Sequence, residues 1–131
     1  MQTYLFISAL LTVVLALAHS VLGEIKILAK IKNEMLPEIK GIPALWDSKN
    51  FSKNTIRFVW HVTSVFGLCI AFILLHFSNS INISPGDCLI IKFISITMIS
   101  AGILTLIISR GAHMGWILFL LIGIFCGLAL M

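Results

Sequence analysis

Residues 3–22 read TYLFISALLTVVLALAHSVL and contain no charged side chain. A helix of about 20 residues rises about 30 Å, which matches the thickness of the hydrocarbon core of a bilayer. In lipid, every backbone N–H and C=O group must find its partner within the protein, and a helix provides these partners. The stretch therefore predicts a transmembrane helix.

Three further apolar stretches follow, at about residues 57–77, 87–109 and 113–131. Their apolar residues run continuously instead of alternating with a period of two, so they predict helices and not strands. The connections between the last three stretches are short, which places consecutive helices antiparallel. We therefore expect residues 1–131 to form one all-α integral membrane domain, a four-transmembrane-helix up-down bundle.

The composition excludes several classes of protein. Apolar residues make up 60% of the chain and charged residues 11%, whereas a soluble domain has about 25% charged residues. A soluble enzyme, a nucleic-acid-binding domain and a disordered tail are all incompatible with these values. The formal charge of +4 comes from basic residues that lie beside the predicted spans, so it indicates anionic lipid headgroups and not nucleic acid.

The distribution of basic residues predicts the orientation. Most of them lie in the long connection between the first two spans or at its end, and Arg110 falls on the same side: Lys26, Lys30, Lys32, Lys40, Lys49, Lys53 and Arg57. By the positive-inside rule this basic loop is cytoplasmic and both termini are outside. Within the loop, residues 24–36 combine an apolar stripe with basic side chains. This pattern predicts an amphipathic helical segment at the membrane interface.

Polar side chains converge at the predicted cytoplasmic ends of all four helices. They are His19, Ser20 and Glu24 of the first helix, Arg57, Trp60, His61 and Ser64 of the second, Ser109 and Arg110 of the third, and His113 and Trp116 of the fourth. The predicted bilayer centre contains no Asp, Glu, Lys or Arg, which argues against an ion-coupled transporter. The cluster is therefore the candidate functional site.

The first interpretation of this cluster is a cofactor site. Imidazole and carboxylate groups are the usual ligands of zinc and non-haem iron, so His19, His61 and His113 could bind one ion with Glu24 as the fourth ligand. A haem held between His61 and His113 is a variant of the same idea. A metal ion or haem is the favoured expectation.

Two other interpretations stay open. Anionic lipid headgroups, bound or processed by an enzyme, could be contacted by Arg57, Arg110, Trp60, Trp116, Ser20, Ser64 and Ser109. Alternatively, the polar groups only fix helix packing in an accessory subunit of a larger membrane complex. Gly123 and Gly127, spaced as in a GxxxG motif, provide a close-packing face for a neighbouring helix of the same chain or for a homodimer.

Three short motifs carry a family resemblance: His19-Ser20-x-x-Gly23-Glu24, Arg57-x-x-Trp60-His61-x-x-Ser64 and Ser109-Arg110-x-x-His113-x-x-Trp116. Their order and spacing resemble those of a group of small four-span bacterial inner-membrane proteins. The resemblance implies a multi-pass protein of the bacterial inner membrane. It implies no particular activity.

Overall fold

The computed structural model describes residues 1–32, 36 and 48–131 of the chain. These residues form four α-helices and one short 3-10 helix, and none of them is in a strand. The helices are α1 (Gln2–Lys26), α2 (Ser48–Asn79), α3 (Pro85–Ser109) and α4 (Gly115–Leu128). The all-helical prediction is confirmed.

Three of the helical segments are long and apolar enough to cross a membrane: Gln2–Lys30, Asn50–Asn79 and Pro85–Ser109. The fourth helix is shorter than predicted. It contains 14 residues, which rise only about 21 Å, because the chain turns through Ala112 to Met114 before α4 begins. The expectation of a fourth span over residues 113–131 is thus met only by a short apolar helix.

The first connection also differs from its prediction. α1 continues past Leu22 to Lys26, and a 3-10 turn follows at Leu28–Lys30. Ile31 then has extended backbone angles, φ −70° and ψ 116°, so a continuous helix over residues 24–36 is wrong. Residues 33–35 and 37–47 lie outside the described part of the chain. α2 begins at Ser48 and not at Arg57.

The helices pack in the order α2, α1, α4, α3. α1 lies against both α2 and α4, and α4 lies against α3, whereas α2 and α3 scarcely contact each other. The bundle is therefore not closed between α2 and α3. Large apolar side chains such as Phe72 and Ile108 are exposed on the outer faces of these two helices, as expected for helices that face hydrocarbon.

Small residues bring α3 and α4 close together. A Cβ added at Gly123 would lie 2.9 Å from the Ser95 carbonyl oxygen, and the Ser95 hydroxyl donates a hydrogen bond to the Gly123 carbonyl at 2.7 Å. A Cβ at Gly127 would lie 3.4 Å from Ser95 Oγ. The GxxxG face therefore contacts α3 of the same chain.

Candidate functional site

The candidate site lies at the end of the bundle where α1 and α3 end and α4 begins, which we call the basic end. Here Glu24 of α1 accepts a hydrogen bond from Arg57 Nη2 of α2. The other carboxylate oxygen, Oε2, lies 3.4 Å from His61 Nε2, and His61 Nδ1 lies 2.9 Å from Ser20 Oγ. Residues four apart share a helix face, so Ser20 and Glu24 meet Arg57 and His61 as two matched pairs. We call these four residues the Glu24 clasp.

The proton positions in the clasp follow from its partners. A carboxylate only accepts hydrogen bonds, so His61 Nε2 donates to Glu24. In the neutral ring, Nδ1 then accepts from the Ser20 hydroxyl. This serine–histidine–acid order is the one that activates a nucleophile, but none of the three residues lines either of the two pockets described below. The clasp joins α1 to α2 through these hydrogen bonds.

A second link between α1 and α2 involves His19 and Trp60. Their rings stack with centroids 4.4 Å apart and planes 4° from parallel, and Trp60 Nε1 donates to the His19 carbonyl at 2.9 Å. The Thr63 hydroxyl donates to the Trp60 carbonyl at 2.6 Å and lies 3.1 Å from His19 Nε2. Since its only proton is used, the Thr63 oxygen accepts from His19, which places a proton on His19 Nε2.

Glycine makes this arrangement possible. A Cβ added at Gly23 would lie 2.1 Å from Trp60 Nε1 and 2.4 Å from Cε2. The indole thus lies directly on the α1 backbone, one turn after His19. Any side chain at position 23 would displace it.

His113 lies at the start of α4 and has a different local role. Its Nδ1 accepts a hydrogen bond from the backbone N–H of Gly115 at 3.1 Å, which satisfies one of the free N–H groups at a helix N-terminus. A neutral His113 ring therefore carries its proton on Nε2. The side chain is exposed, so this N–H is available to a ligand.

A pocket of about 580 Å³ lies between α1 and α4, with Trp60 as its wall on the α2 side. We call it the His113 pocket. Its polar lining comes from His19, Lys26 and His113, all at the basic end. Its deeper lining is apolar and includes Leu15, Leu118 and Phe119.

A smaller pocket of about 190 Å³ lies on the other side of His19, lined by residues of all four helices. Ser64 lines it and is only 6% exposed, and its hydroxyl has no hydrogen-bond partner. We call it the Ser64 pocket. Leu15, His19 and Phe119 line both pockets, so the two adjoin.

The four predicted metal ligands do not form one group. Among residues 1–32, 36 and 48–131, no set of three or more His, Cys, Asp and Glu side chains is placed to hold a metal ion. Glu24 and His61 are together, but Arg57 and Ser20 occupy them. His19 lies against Trp60, and His113 caps α4. The zinc, iron or haem site stays a prediction.

The predicted headgroup-binding residues divide into four sets. Arg57 and Ser20 belong to the clasp, while Trp60 and Ser64 line the two pockets. Arg110 is exposed at the end of α3. The remaining two, Ser109 and Trp116, have buried polar atoms without a hydrogen-bond partner.

Sequence reasoning missed two residues of the site, Lys26 and Thr63. Lys26 follows His19 by seven residues, which is two helical turns, so the two lie on the same face of α1. Lys26 reaches the pocket only because α1 continues past Leu22. Thr63 lies three residues after Trp60, a spacing typical of neighbours on a helix. That spacing could have identified Thr63.

Comparisons of the chain with protein-family models, with curated proteins and with solved structures gave no significant match. The resemblance to small four-span bacterial inner-membrane proteins therefore stays a prediction.

Proposed function

We propose that this membrane protein binds an anionic glycerophospholipid in the His113 pocket, with the phosphate at the basic end and an acyl chain along the deeper apolar wall. In this proposal the site lies in the cytoplasmic leaflet of the bacterial inner membrane. The lysine-rich first connection supports this orientation, since Lys and Arg are enriched in cytoplasmic loops. The observation that carries the proposal is that polar and apolar groups separate along the length of one pocket.

The separation follows the helix axes. Lys26 and Leu15 lie eleven residues apart on α1, and both line the pocket, so its polar and apolar ends are about 16 Å apart. The same order is repeated on the α4 side, where His113 lies two residues before the helix and Phe119 lies deeper within it. A phospholipid has this polarity along its length, and it lies in the bilayer in this direction.

Two hydrogen-bond donors at the polar end are free to hold a phosphate. Lys26 carries an ammonium group at the end of α1, and His113 offers its Nε2–H. Arg57 of α2 is already paired with Glu24. Charge-assisted hydrogen bonds to phosphate oxygens are stronger than neutral ones, so Lys26 and His113 hold the phosphate, and the Lys26 ammonium, which repels a choline cation, favours an anionic headgroup.

The alternatives have less support from the geometry. A metal or haem site needs ligands that converge, and among the described residues no three His, Cys, Asp or Glu side chains are placed to hold a metal ion. An accessory subunit without a ligand would not need a pocket with segregated polarity. A lipid site explains why there is a pocket, why one end of it carries a positive charge, and why its lining changes from polar to apolar along the helix axes.

The test is lipid retention measured by native mass spectrometry. The protein is released from nanodiscs that contain equal amounts of phosphatidylglycerol and phosphatidylcholine. We expect phosphatidylglycerol to be retained preferentially, and we expect Lys26→Ala to reduce this preference severalfold, because it removes the cation that repels choline. His113→Ala should reduce the retention of phosphatidylglycerol severalfold, because it removes one donor to the phosphate.

Lys30→Ala is the matched control, since Lys30 is an exposed lysine on the same connection that does not line the pocket. The proposal predicts that this variant keeps the wild-type preference. If Lys26→Ala and Lys30→Ala reduced the preference for phosphatidylglycerol equally, the preference would come from general surface charge, and the proposal would be overturned.

A further inference from the structure

The Ser64 pocket contains an unusual polar group. Ser64 lies within α2, is 6% exposed and has a hydroxyl without a hydrogen-bond partner. A serine in a helix can donate to the carbonyl four residues earlier, as Ser8 does to Tyr4 at 2.9 Å. Burying an unpaired hydroxyl costs free energy, so a ligand that accepts a hydrogen bond from Ser64 would recover this cost.

The other polar groups that line this pocket are already engaged. The Thr12 hydroxyl donates to the Ser8 carbonyl at 2.7 Å. The Thr63 hydroxyl and His19 Nε2 belong to the link with Trp60. The rest of the lining is apolar and includes Phe66, Ile70 and Met98. A buried water needs two to four polar partners, whereas this pocket offers one free donor, so it suits an apolar molecule that carries a single acceptor.

The position of the pocket indicates which molecule this is. It adjoins the His113 pocket through Leu15, His19 and Phe119. It also lies beside the side of the bundle where α2 and α3 scarcely touch, so a chain from the bilayer can reach it. Ser64 follows Arg57 by seven residues and therefore lies about 10 Å deeper along α2. In a glycerophospholipid, the ester carbonyls lie just deeper than the phosphate.

We infer that the Ser64 pocket takes the second acyl chain of the lipid held in the His113 pocket, and that the Ser64 hydroxyl donates a hydrogen bond to its ester carbonyl. The ligand class is thereby narrowed to diacyl, ester-linked glycerophospholipids. This inference rests on the proposed function, because the phosphate contacts with Lys26 and His113 set the depth of the ester.

The experiment compares two probes that differ only in the linkage: diacyl phosphatidylglycerol and its dialkyl ether analogue with chains of equal length. Retention of each lipid by the purified protein is measured by native mass spectrometry. A net hydrogen bond corresponds to a factor of about three to ten in affinity. The wild-type protein is expected to prefer the diacyl lipid by this factor.

Ser64→Ala is expected to abolish the preference by weakening diacyl binding, while its affinity for the ether lipid stays at the wild-type value. That unchanged ether affinity also shows that the variant is folded. Ser100→Ala, an exposed serine of α3, is the control and should keep the preference. Equal binding of the two lipids by the wild-type protein, or an unchanged ratio in Ser64→Ala, would overturn the inference.

The two proposals fail differently. If Ser64→Ala leaves the diacyl-to-ether ratio unchanged while Lys26→Ala and His113→Ala still lose phosphatidylglycerol, only the Ser64 contact is refuted. If the latter two variants bind phosphatidylglycerol as the wild-type protein does, the lipid site itself is refuted.

Discussion

The indole of Trp60 lies on Gly23, at a distance where a Cβ on that glycine would come within 2.1 Å of Nε1. In this position the indole N–H donates a hydrogen bond to the His19 carbonyl at 2.9 Å, and the ring lines the His113 pocket. A missing side chain on α1 thus positions an aromatic side chain of α2. The packing of these two helices and the shape of the pocket depend on the same contact.

Gly23→Ala should therefore destabilise the protein by about 1–3 kcal/mol, the usual cost of overpacking a close contact. Unfolding in a denaturing detergent titration measures the change in free energy. Gly86→Ala is the matched control, because a Cβ there meets only Ser84 Oγ at 3.6 Å. A Gly23→Ala variant as stable as the wild-type protein would show that Trp60 does not occupy this position.

The Glu24 clasp predicts coupling between the two helices. Arg57→Ala and Glu24→Gln should each lower the melting temperature, and the double variant should lose less than the sum of the two, because each single change already breaks the same pair. Lys92→Ala, which removes an exposed lysine of α3, provides a control for the change in net charge. If the decrease in melting temperature of the double variant equalled the sum of the two single decreases, a direct interaction between Glu24 and Arg57 would be contradicted.

The α3–α4 contact predicts a graded response to added methyl groups. Gly123→Ala places a Cβ 2.9 Å from a backbone carbonyl, whereas Gly127→Ala places one 3.4 Å from the movable Ser95 hydroxyl. Gly123→Ala should cost about 1–3 kcal/mol and Gly127→Ala clearly less. Both variants should keep the oligomeric state of the wild-type protein, which is measured by light scattering in detergent.

A change of oligomeric state that tracks the loss of stability would instead place the two glycines at a homodimer interface.

The turn between α3 and α4 predicts a stabilising substitution. Arg110 ends α3 with left-handed backbone angles, φ 50° and ψ 37°, which cost a non-glycine residue about 1 kcal/mol or more. Arg110→Gly should raise the free energy of unfolding by about this amount, whereas Arg110→Ala should not. Equal stabilities for the two variants would mean that the side chain, and not the backbone, determines stability at this position.

Much of the fold could be predicted from the sequence because membrane length and continuous hydrophobicity are local properties. They located α1, α2 and α3 and the polar cluster at one end. They did not reveal where α4 begins, because its start depends on the left-handed backbone at Arg110 and on the bond from the Gly115 N–H to His113. The extension of α1 to Lys26 was missed because residues 24–36 were predicted to form a separate interfacial helix, whereas α1 continues through Gly23 and Glu24 is held by α2.

The site was predicted as a set of residues but not as an arrangement. Depth along each helix follows from counting residues, and four residues of the predicted cluster contact one another: Ser20, Glu24, Arg57 and His61. Which of them pair depends on helix rotation and on the order of the helices, which sequence spacing does not determine. Arg57 is paired with Glu24, whereas Lys26 and His113 line the His113 pocket.

The most direct test of the lipid site uses Trp60 as an internal reporter. A variant with Trp46→Phe and Trp116→Phe keeps Trp60 as its only tryptophan, and bromine on the lipid acyl chains quenches indole fluorescence on contact. At equal mole fractions in vesicles, brominated phosphatidylglycerol should quench Trp60 more strongly than brominated phosphatidylcholine, and Lys26→Ala with His113→Ala should remove the difference. Equal quenching by the two lipids in the otherwise unchanged protein would contradict a pocket that selects an anionic lipid.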